Sequence, residues 1–489
     1  MIKFLSPFVA CMATIVGLGS VAYADNVSLT IYSSNQPGAI NPDQYRPVAG
    51  QNNIFIGSAV PGYAMVRQTH SFALKAGTSR IDFDGVAALL DPTTVTFKSL
   101  TDPLGTHVVS QNYLFDLVSQ EALLNRFLGK DITIEQHNGN STSTHSGQLL
   151  TSNFGTTILK TKDGIYSTNN VTSTSFKELP EGLRIKPTLE WDIYTKKQGN
   201  HDSVIAYQTQ GITWWTDYNI TLTKEGKDGQ DMIDIAPWVS ILNQTGTSFT
   251  NAEIKLMAGD INRQQEPRRI MYKAMAMERD AGAIPAAPPG FAEKSFFEYH
   301  LYTLGRPETI THNATKQIAL FTPITNIPAK RQYVLKTQEG NKVGVYLQIT
   351  NNEKSGLGKP LPAGRVRISK QDGKSMELIG EDTIDHTPKD EELKLKLGNA
   401  FDIVAERKVM ATRENNEHKW REDDIQVELK NRKKDAITVL VDEPVSGSNV
   451  QILKPSHKPV NKGNSLYEFA VPLAAGSASK LSYTLRTQW

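Results

Sequence analysis

The sequence has little cysteine, no long apolar run after its first residues and almost no net charge. Its single cysteine, Cys11, lies within the first 24 residues, so the rest of the chain can form no internal disulfide. No stretch after residue 24 has the ~18 consecutive apolar residues of a spanning helix. A formal charge of +2 over 489 residues argues against a polyanion-binding protein, and we expect no nucleic-acid partner.

The common signatures of hydrolases are also missing. The chain contains neither G-x-S-x-G nor H-E-x-x-H. Gly373-Lys374-Ser375 has the sequence that ends a phosphate-binding loop, but Ile368 occupies the position of that loop's first glycine. No helix pattern follows, so we predict a hairpin turn. Neither a cofactor nor a resident metal is predicted.

The first 24 residues are typical of a Sec-type secretory signal peptide. Lys3 supplies the positive end, residues 8–21 are mostly apolar, and Ala22-Tyr23-Ala24 is a small-x-small cleavage site before Asp25. A membrane anchor needs a longer apolar run, and a lipid attached at Cys11 requires cleavage after a very short one. We therefore expect cleavage after Ala24, a periplasmic or secreted protein, and no transmembrane segment afterwards.

Alternation of apolar and polar residues dominates the sequence from Val27 onward, which predicts antiparallel strands with one solvated face. Clear examples are residues 63–74, 80–83, 94–100 and 108–117. One short helix is predicted between Ser119, its cap, and Gly129, its stop. We therefore predict a mainly β fold, with two antiparallel β-sandwich-type domains, a small inserted SH3-like barrel and this helix.

A length of 489 residues exceeds the roughly 250–300 at which single cores stop growing. After the signal peptide, 1–24, we predict five segments. They are an N-terminal β domain (25–129), the small inserted barrel (130–185), a β-sandwich block completing the N-terminal part (186–263), a Met/Ala/Pro linker (264–294) and a C-terminal β-sandwich domain (295–489).

Trp214 and Trp215 are candidate binding residues. Adjacent strand residues point to opposite faces, so we expect one ring to be buried, while the other is available to stack on a sugar or a partner. Packing of the second ring against a neighbouring loop is the favoured interpretation.

Two groups of residues are candidates for catalysis. Glu298, His300 and Tyr302 share one face of a predicted strand, where a carboxylate, an imidazole and a phenol converge. Asp385 and His386 lie in a second group, with Glu381, Asp382 and Asp390 nearby. Either group suits a general base or a metal ligand, but polar strand edges and ordinary ion pairs are the favoured interpretation.

A third acidic group contains Glu225, Asp228, Asp231 and Asp234, together with Gly226 and Gly229. Its spacing matches no calcium-binding loop, and it lies between two predicted strands. A solvated hairpin tip is expected there.

Residues 360–408 (PLPAGRVRISKQDGKSMELIGEDTIDHTPKDEELKLKLGNAFDIVAERK) resemble a bacterial family of secreted proteins known only as a domain of unknown function. Supporting segments are FFEYHLYTLGRPETI from Phe296, GITWWTDYNITLT from Gly211 and LMAGDINR from Leu256. The same domain forms the C-terminal part of proteins similar to mucoidy inhibitor A. The resemblance implies a β-sandwich protein of the cell envelope and supplies no catalytic residues. Those longer proteins have a coiled-coil hairpin, whereas this chain shows no heptads.

These observations predict an exported, non-catalytic binding or structural module whose partner is an envelope protein or a glycan. The first alternative is a metal-assisted hydrolase, in which folding brings Glu298, His300, Asp385 and His386 together. A third is an outer-membrane β-barrel component, suggested by the alternation in the last residues, LSYTLRTQW.

Overall fold

A computed structural model describes residues 26–32, 40, 60–138, 141–153, 155–259, 291–296, 299–447, 449–463 and 465–489. The predicted signal peptide and most of the predicted linker, 264–294, lie outside the described residues. Within the described part the structure is mainly β, as predicted, with one α-helix. No helix there is long and apolar enough to span a membrane.

The described residues up to 259 form fifteen strands and the helix. Those before the helix are β1 (Asn26–Tyr32), β2 (Tyr63–Leu74), β3 (Gly77–Phe83), β4 (Leu90–Ser99) and β5 (Thr106–Leu114). The helix is α1 (Gln120–Arg126), followed by β6 (Asp131–Asn138), β7 (Ser141–Asn153), β8 (Thr156–Thr161), β9 (Gly164–Thr168) and β10 (Ser173–Ser175). The next are β11 (Thr188–Thr195), β12 (Gly199–Thr209), β13 (Ile212–Lys224), β14 (Gln230–Asn243) and β15 (Phe249–Ala258).

The described residues from 291 onward form another fifteen strands. They begin with β16 (Phe291–Phe296), β17 (Tyr299–Leu304), β18 (Glu308–Ile310), β19 (Ala314–Ala319), β20 (Ile324–Lys336), β21 (Lys342–Thr350), β22 (Gly364–Asp372) and β23 (Ser375–Ile384). They end with β24 (Glu392–Asn415), β25 (Trp420–Asn431), β26 (Ile437–Pro444), β27 (Asn449–Leu453), β28 (Pro459–Asn461), β29 (Leu466–Leu473) and β30 (Ala478–Gln488). Short 3₁₀ turns occupy Lys227–Gly229, Thr337–Glu339 and Glu353–Ser355.

The predicted helix is confirmed. The Ser119 hydroxyl accepts a hydrogen bond of 3.0 Å from the backbone N–H of Ala122, which satisfies one free donor of the first turn. Gly129 follows the helix with φ of +79°, a conformation that glycine adopts without strain. Phe127, just after the last turn, is buried against Ile132 and Leu149 of the next sheet.

That next sheet has five strands in the order β10-β6-β7-β8-β9. Each neighbouring pair is antiparallel, and alternate residues face a small apolar core formed by Ile132, Ile134, Leu149 and Leu159. A tight turn at Asp163-Gly164, a residue pair that favours hairpins, joins β8 to β9. Closure of this sheet into an SH3-like barrel stays a prediction.

An eight-stranded sheet packs against a three-stranded one in a sandwich-type arrangement. Trp191 of β11, in the smaller sheet, stacks on Phe83 at 5.5 Å between ring centroids. It also meets Phe72 of β2, in the larger sheet, edge to face at 6.2 Å. Such offset and edge-to-face pairs add to the stabilisation from burial alone.

The largest sheet among the described residues has fourteen strands, and both halves of the chain contribute to it. β13 and β14 precede the predicted linker, yet β13 pairs in parallel with β22 and β14 pairs with β20. Conversely, β15 of the eight-stranded sheet pairs with β17. Strands from both sides of 264–294 therefore share the two largest sheets among the described residues.

Two groups of buried apolar side chains support these sheets, and we call them the first core and the second core. The first includes Leu29, Trp191, Trp214 and Leu395, and the second includes Tyr333, Leu335, Val427 and Phe469. β20, β21 and β24 contribute to both. The two cores therefore meet along these three strands.

Candidate functional site

His300 lies on β17 and pairs with a carboxylate that the sequence analysis did not single out. Its Nδ1 lies 2.7 Å from Oε1 of Glu293 on β16, and both side chains are partly exposed. Tyr302, on the same strand, is buried in the first core, where its hydroxyl donates to the carbonyl of Pro360 over 3.2 Å. Glu298 lies outside the described residues. The two described members of this group therefore occupy different environments.

Two of the acids near His386 have other partners. Nδ1 of His386 accepts a hydrogen bond of 3.0 Å from the backbone N–H of Ala363. Glu381 pairs with Arg367 at 3.0 Å, and Asp382 accepts from the backbone N–H of Lys396. Asp385 and His386 are exposed. In the part of the chain that the structure describes, no group of three or more His, Cys, Asp or Glu residues could hold a metal ion.

Trp214 and Trp215 face opposite sides of β13, and both are buried. Trp214 is 2% exposed in the first core, and Trp215 is 7% exposed beside Ile40 and Val60. Nε1 of Trp215 donates to Oδ2 of Asp217 over 2.7 Å. Neither ring offers a face to solvent on which a ligand could stack.

Asp217 is the centre of a buried polar network. Besides Trp215, its carboxylate accepts from Ser240 at 3.1 Å and from Arg365 at 3.2 Å. Arg367 donates to the same carboxylate over 3.4 Å. These bonds join β13, β14 and β22, and charge-assisted bonds of this kind are stronger than neutral ones. The network therefore holds three strands in register.

The acidic group after β13 is arranged around cationic side chains. Glu225 accepts from Arg331 at 2.6 Å and also pairs with Lys370, and together these cations lower its pKa to about 2. Asp234 accepts from the backbone N–H of Asn326. The hairpin between β13 and β14 is confirmed, but Glu225 forms ion pairs with side chains from two distant strands.

Asp231, on β14, is almost fully buried, with 1% of its surface exposed. Oδ1 accepts from the backbone N–H of Gly226 at 3.1 Å and from Arg331 at 3.3 Å. Oδ2 is buried and has no hydrogen-bond partner among the described residues. Burial raises the pKa of this carboxyl group.

A cleft of about 240 Å³ opens beside these ion pairs, and we call it the junction cleft. Its apolar wall is formed by Leu222, Val345, Ile379, Leu397, Ala400 and Phe401. Its charged residues are Glu225, Asp231, Arg331, Lys370, Asp402 and Lys433, with Tyr333 among them. Leu222 and Leu397 pack with the first core, whereas Tyr333 and Val345 pack with the second. The cleft therefore lies where the two cores meet.

A β-bulge shapes one side of the junction cleft. Gly344 of β21 pairs with Asn399, but Lys342 pairs with Val404, so β24 contains extra residues between these pairs. Phe401 lies in this irregular stretch and is 97% exposed. Bulges commonly redirect side chains in this way, and an aromatic ring this exposed at a cleft is available for contact with another molecule.

The family comparison covers the part of the chain that contains the cleft. A family model described as "Domain of unknown function (DUF4139)" matches residues 204–489, more than half of the sequence. The chain belongs to this family. The junction cleft and the Asp217 network both lie inside the DUF4139 domain. None of the curated proteins matches the chain.

The description of the DUF4139 domain assigns no activity, so its site rests on geometry alone. Sequence reasoning missed Arg331, Lys370, Phe401 and Lys433. The only local signal was at Phe401, which follows Gly398 and Asn399 in a strand pattern, where glycine often marks a bulge.

Proposed function

We propose that this protein is exported to the bacterial cell envelope and acts there by binding, with the junction cleft as its binding site. The position of the cleft carries the proposal, because ligand sites occur preferentially where packed units meet. Apolar walls beside a few fixed charges are the usual composition of such a site.

The chemistry of the cleft favours binding over catalysis. Its lining residues in the described chain include no histidine, serine or cysteine. Glu225 has a pKa of about 2, which makes it a weak general base near neutral pH. Arg331 and Lys370 are already paired with carboxylates. The cleft thus supplies contacts without an activated nucleophile.

Export is supported by the features around Lys3 and Ala22-Tyr23-Ala24. We further propose that the same domain forms the C-terminal part of mucoidy-inhibitor-A-like proteins. The support for this link is the resemblance of residues 360–408. An envelope protein or a glycan fragment is the expected class of partner.

A binding screen tests the proposal. The processed protein would be isolated from the periplasm, its N-terminus determined, and its melting temperature measured with amino acids, short peptides, sugars and peptidoglycan fragments. A ligand present at 100 times its dissociation constant adds about 2.7 kcal/mol to native-state stability, which gives a measurable shift. We expect an N-terminus at Asp25 and at least one ligand that raises the melting temperature.

Phe401→Ala should reduce the affinity for that ligand at least tenfold. The matched control is Phe115→Ala. Phe115 is also strongly exposed, at 70%, but it lies outside residues 204–489, which contain the cleft. Binding that is unchanged by Phe401→Ala, or turnover of a bound compound, would overturn the assignment. An N-terminus at Met1 would overturn export.

A further inference from the structure

The charged residues of the junction cleft fall into two groups. Glu225, Asp231, Arg331 and Lys370 pair with one another and neutralise their own charges. Asp402 and Lys433 take no part in those pairs. Among the described residues, neither has an oppositely charged group within 4.0 Å. The cleft therefore retains one free anion and one free cation.

Lys433 is held in a defined position by neutral groups. Its Nζ donates to the hydroxyl of Tyr333 over 2.9 Å and lies 5.2 Å from the centre of that ring. One hydroxyl uses one of the three N–H donors of an ammonium group. Lys433 is partly buried, which reduces the screening of its charge by water. It is thus preorganised to bind an anion.

Asp402 lies at the same end of the β24–β25 pair. Ile403 pairs with Asn431, and the carbonyl of Asp402 accepts a hydrogen bond of 2.8 Å from the backbone N–H of Arg432. The Asp402 side chain is exposed, and its carboxylate forms no hydrogen bond or ion pair within the described chain. The free anion on β24 and the free cation, two residues after the end of β25, therefore lie at the same end of this strand pair.

The rest of the cleft is apolar and small. Leu222, Ile379 and Leu397 line it, and Phe401 stands exposed beside Asp402. Its volume of about 240 Å³ is below the roughly 300–1,000 Å³ of sites for drug-sized ligands. The complementary molecule is small, has an apolar body and has a charge of each sign.

We propose that the junction cleft binds a small apolar zwitterion, a free apolar amino acid or dipeptide. The ligand carboxylate pairs with Lys433, its ammonium group pairs with Asp402, and its side chain packs between Leu397 and Phe401. This inference rests on the proposed function, because it names the ligand class of the same cleft.

Calorimetric titration of the processed full protein tests the ligand class. The probes are L-leucine and the dipeptide Leu-Leu, each in four forms: free, N-acetylated, C-amidated and doubly capped. Acetylation removes the ammonium charge and amidation removes the carboxylate charge, while the apolar side chain is unchanged. We expect each single cap to weaken binding at least tenfold.

Two variants assign each charge to its partner. Lys433→Met keeps an apolar side chain but removes the ammonium group that pairs with the ligand carboxylate. Binding to this variant should therefore be insensitive to amidation of the ligand. Asp402→Asn should make binding insensitive to acetylation. Lys434→Met and Asp435→Asn are matched controls, since both residues are exposed neighbours outside the cleft lining, and they should leave both sensitivities intact.

Failure of this inference differs from failure of the proposed function. The zwitterion assignment is overturned if neither free probe binds, or if capping has the same effect in wild type and in both variants. If another compound binds and Phe401→Ala weakens it, the cleft remains a binding site with a different ligand class. If no compound binds at the cleft, both proposals are overturned.

Discussion

Asp217 and Arg365 face each other across two parallel strands, although 148 positions separate them in the sequence. Nε of Arg365 donates to Oδ1 of Asp217 over 3.2 Å, and the carboxylate is almost completely buried. β13 precedes the predicted linker and β22 follows it. This pair therefore fixes the register between two parts of the chain that the sequence pattern had separated.

Replacing Asp217 should destabilise the protein strongly. Asp217→Ala leaves Trp215, Arg365 and Arg367 without their common acceptor, and removing one partner of a buried ion pair costs about 3 kcal/mol or more. We expect a lower midpoint of thermal unfolding. Asp435→Ala, at an exposed position, is the control and should leave the midpoint unchanged. Equal midpoints for the two variants would show that the network contributes little.

Glu225 should stabilise the protein at neutral pH and lose that effect in acid. Hydrogen bonds from Lys370 and Arg331 lower its pKa from 4.5 to about 2, so the folded state binds fewer protons than the unfolded state within that range. Its contribution to the stability of the folded state is therefore complete above pH 4.5 and is lost as the pH falls towards 2. Because the side chain is 38% exposed, we expect only about 1 kcal/mol.

The check is the difference in melting temperature between wild type and Glu225→Gln. It should be larger at pH 7 than at pH 3. Glu377→Gln removes an exposed carboxylate of β23 and serves as the reference at each pH. A difference that is constant with pH would contradict the assigned ion pairs.

The contribution of Asp231 to folding stability should depend on pH in the opposite direction. Burial raises its pKa, so the folded state takes up a proton before the unfolded state does as the pH falls. Relative to Asp231→Asn, wild type should therefore gain stability as the pH falls from the raised pKa to the ordinary value near 3.8. Chemical denaturation of both proteins between pH 7 and pH 4 measures this. A growing advantage of the variant on acidification would contradict the direction.

Local features of the fold could be predicted from the sequence because they depend on residues close together in the chain. The alternation over 63–74 gave the bounds of β2, and Ser119 marked the start of α1. The hairpin turn at Gly373-Lys374 was also confirmed. Each of these signals is complete within a few residues.

Long-range features could not be predicted in the same way. Alternation shows which residues share a face, but it does not show which strand lies next to which. The parallel pairing of β13 with β22 therefore has no local signal. Likewise, Glu225 was recognised as part of an acidic turn, but its partners Arg331 and Lys370 lie 106 and 145 positions away.

The parallel pairing of β13 with β22 can be tested directly through Gly364. A Cβ atom at this residue would lie 2.3 Å from the backbone carbonyl oxygen of Thr216 on β13, a separation that real contacts do not show. Gly364→Ala should therefore force the two strands apart and lower stability by about 1–3 kcal/mol, the usual cost of overpacking. Ser369→Ala, on the same strand, is the control, since it adds no volume. Thermal unfolding of both variants gives the comparison. Equal melting temperatures for Gly364→Ala and Ser369→Ala would contradict the close approach of β13 and β22 at this residue.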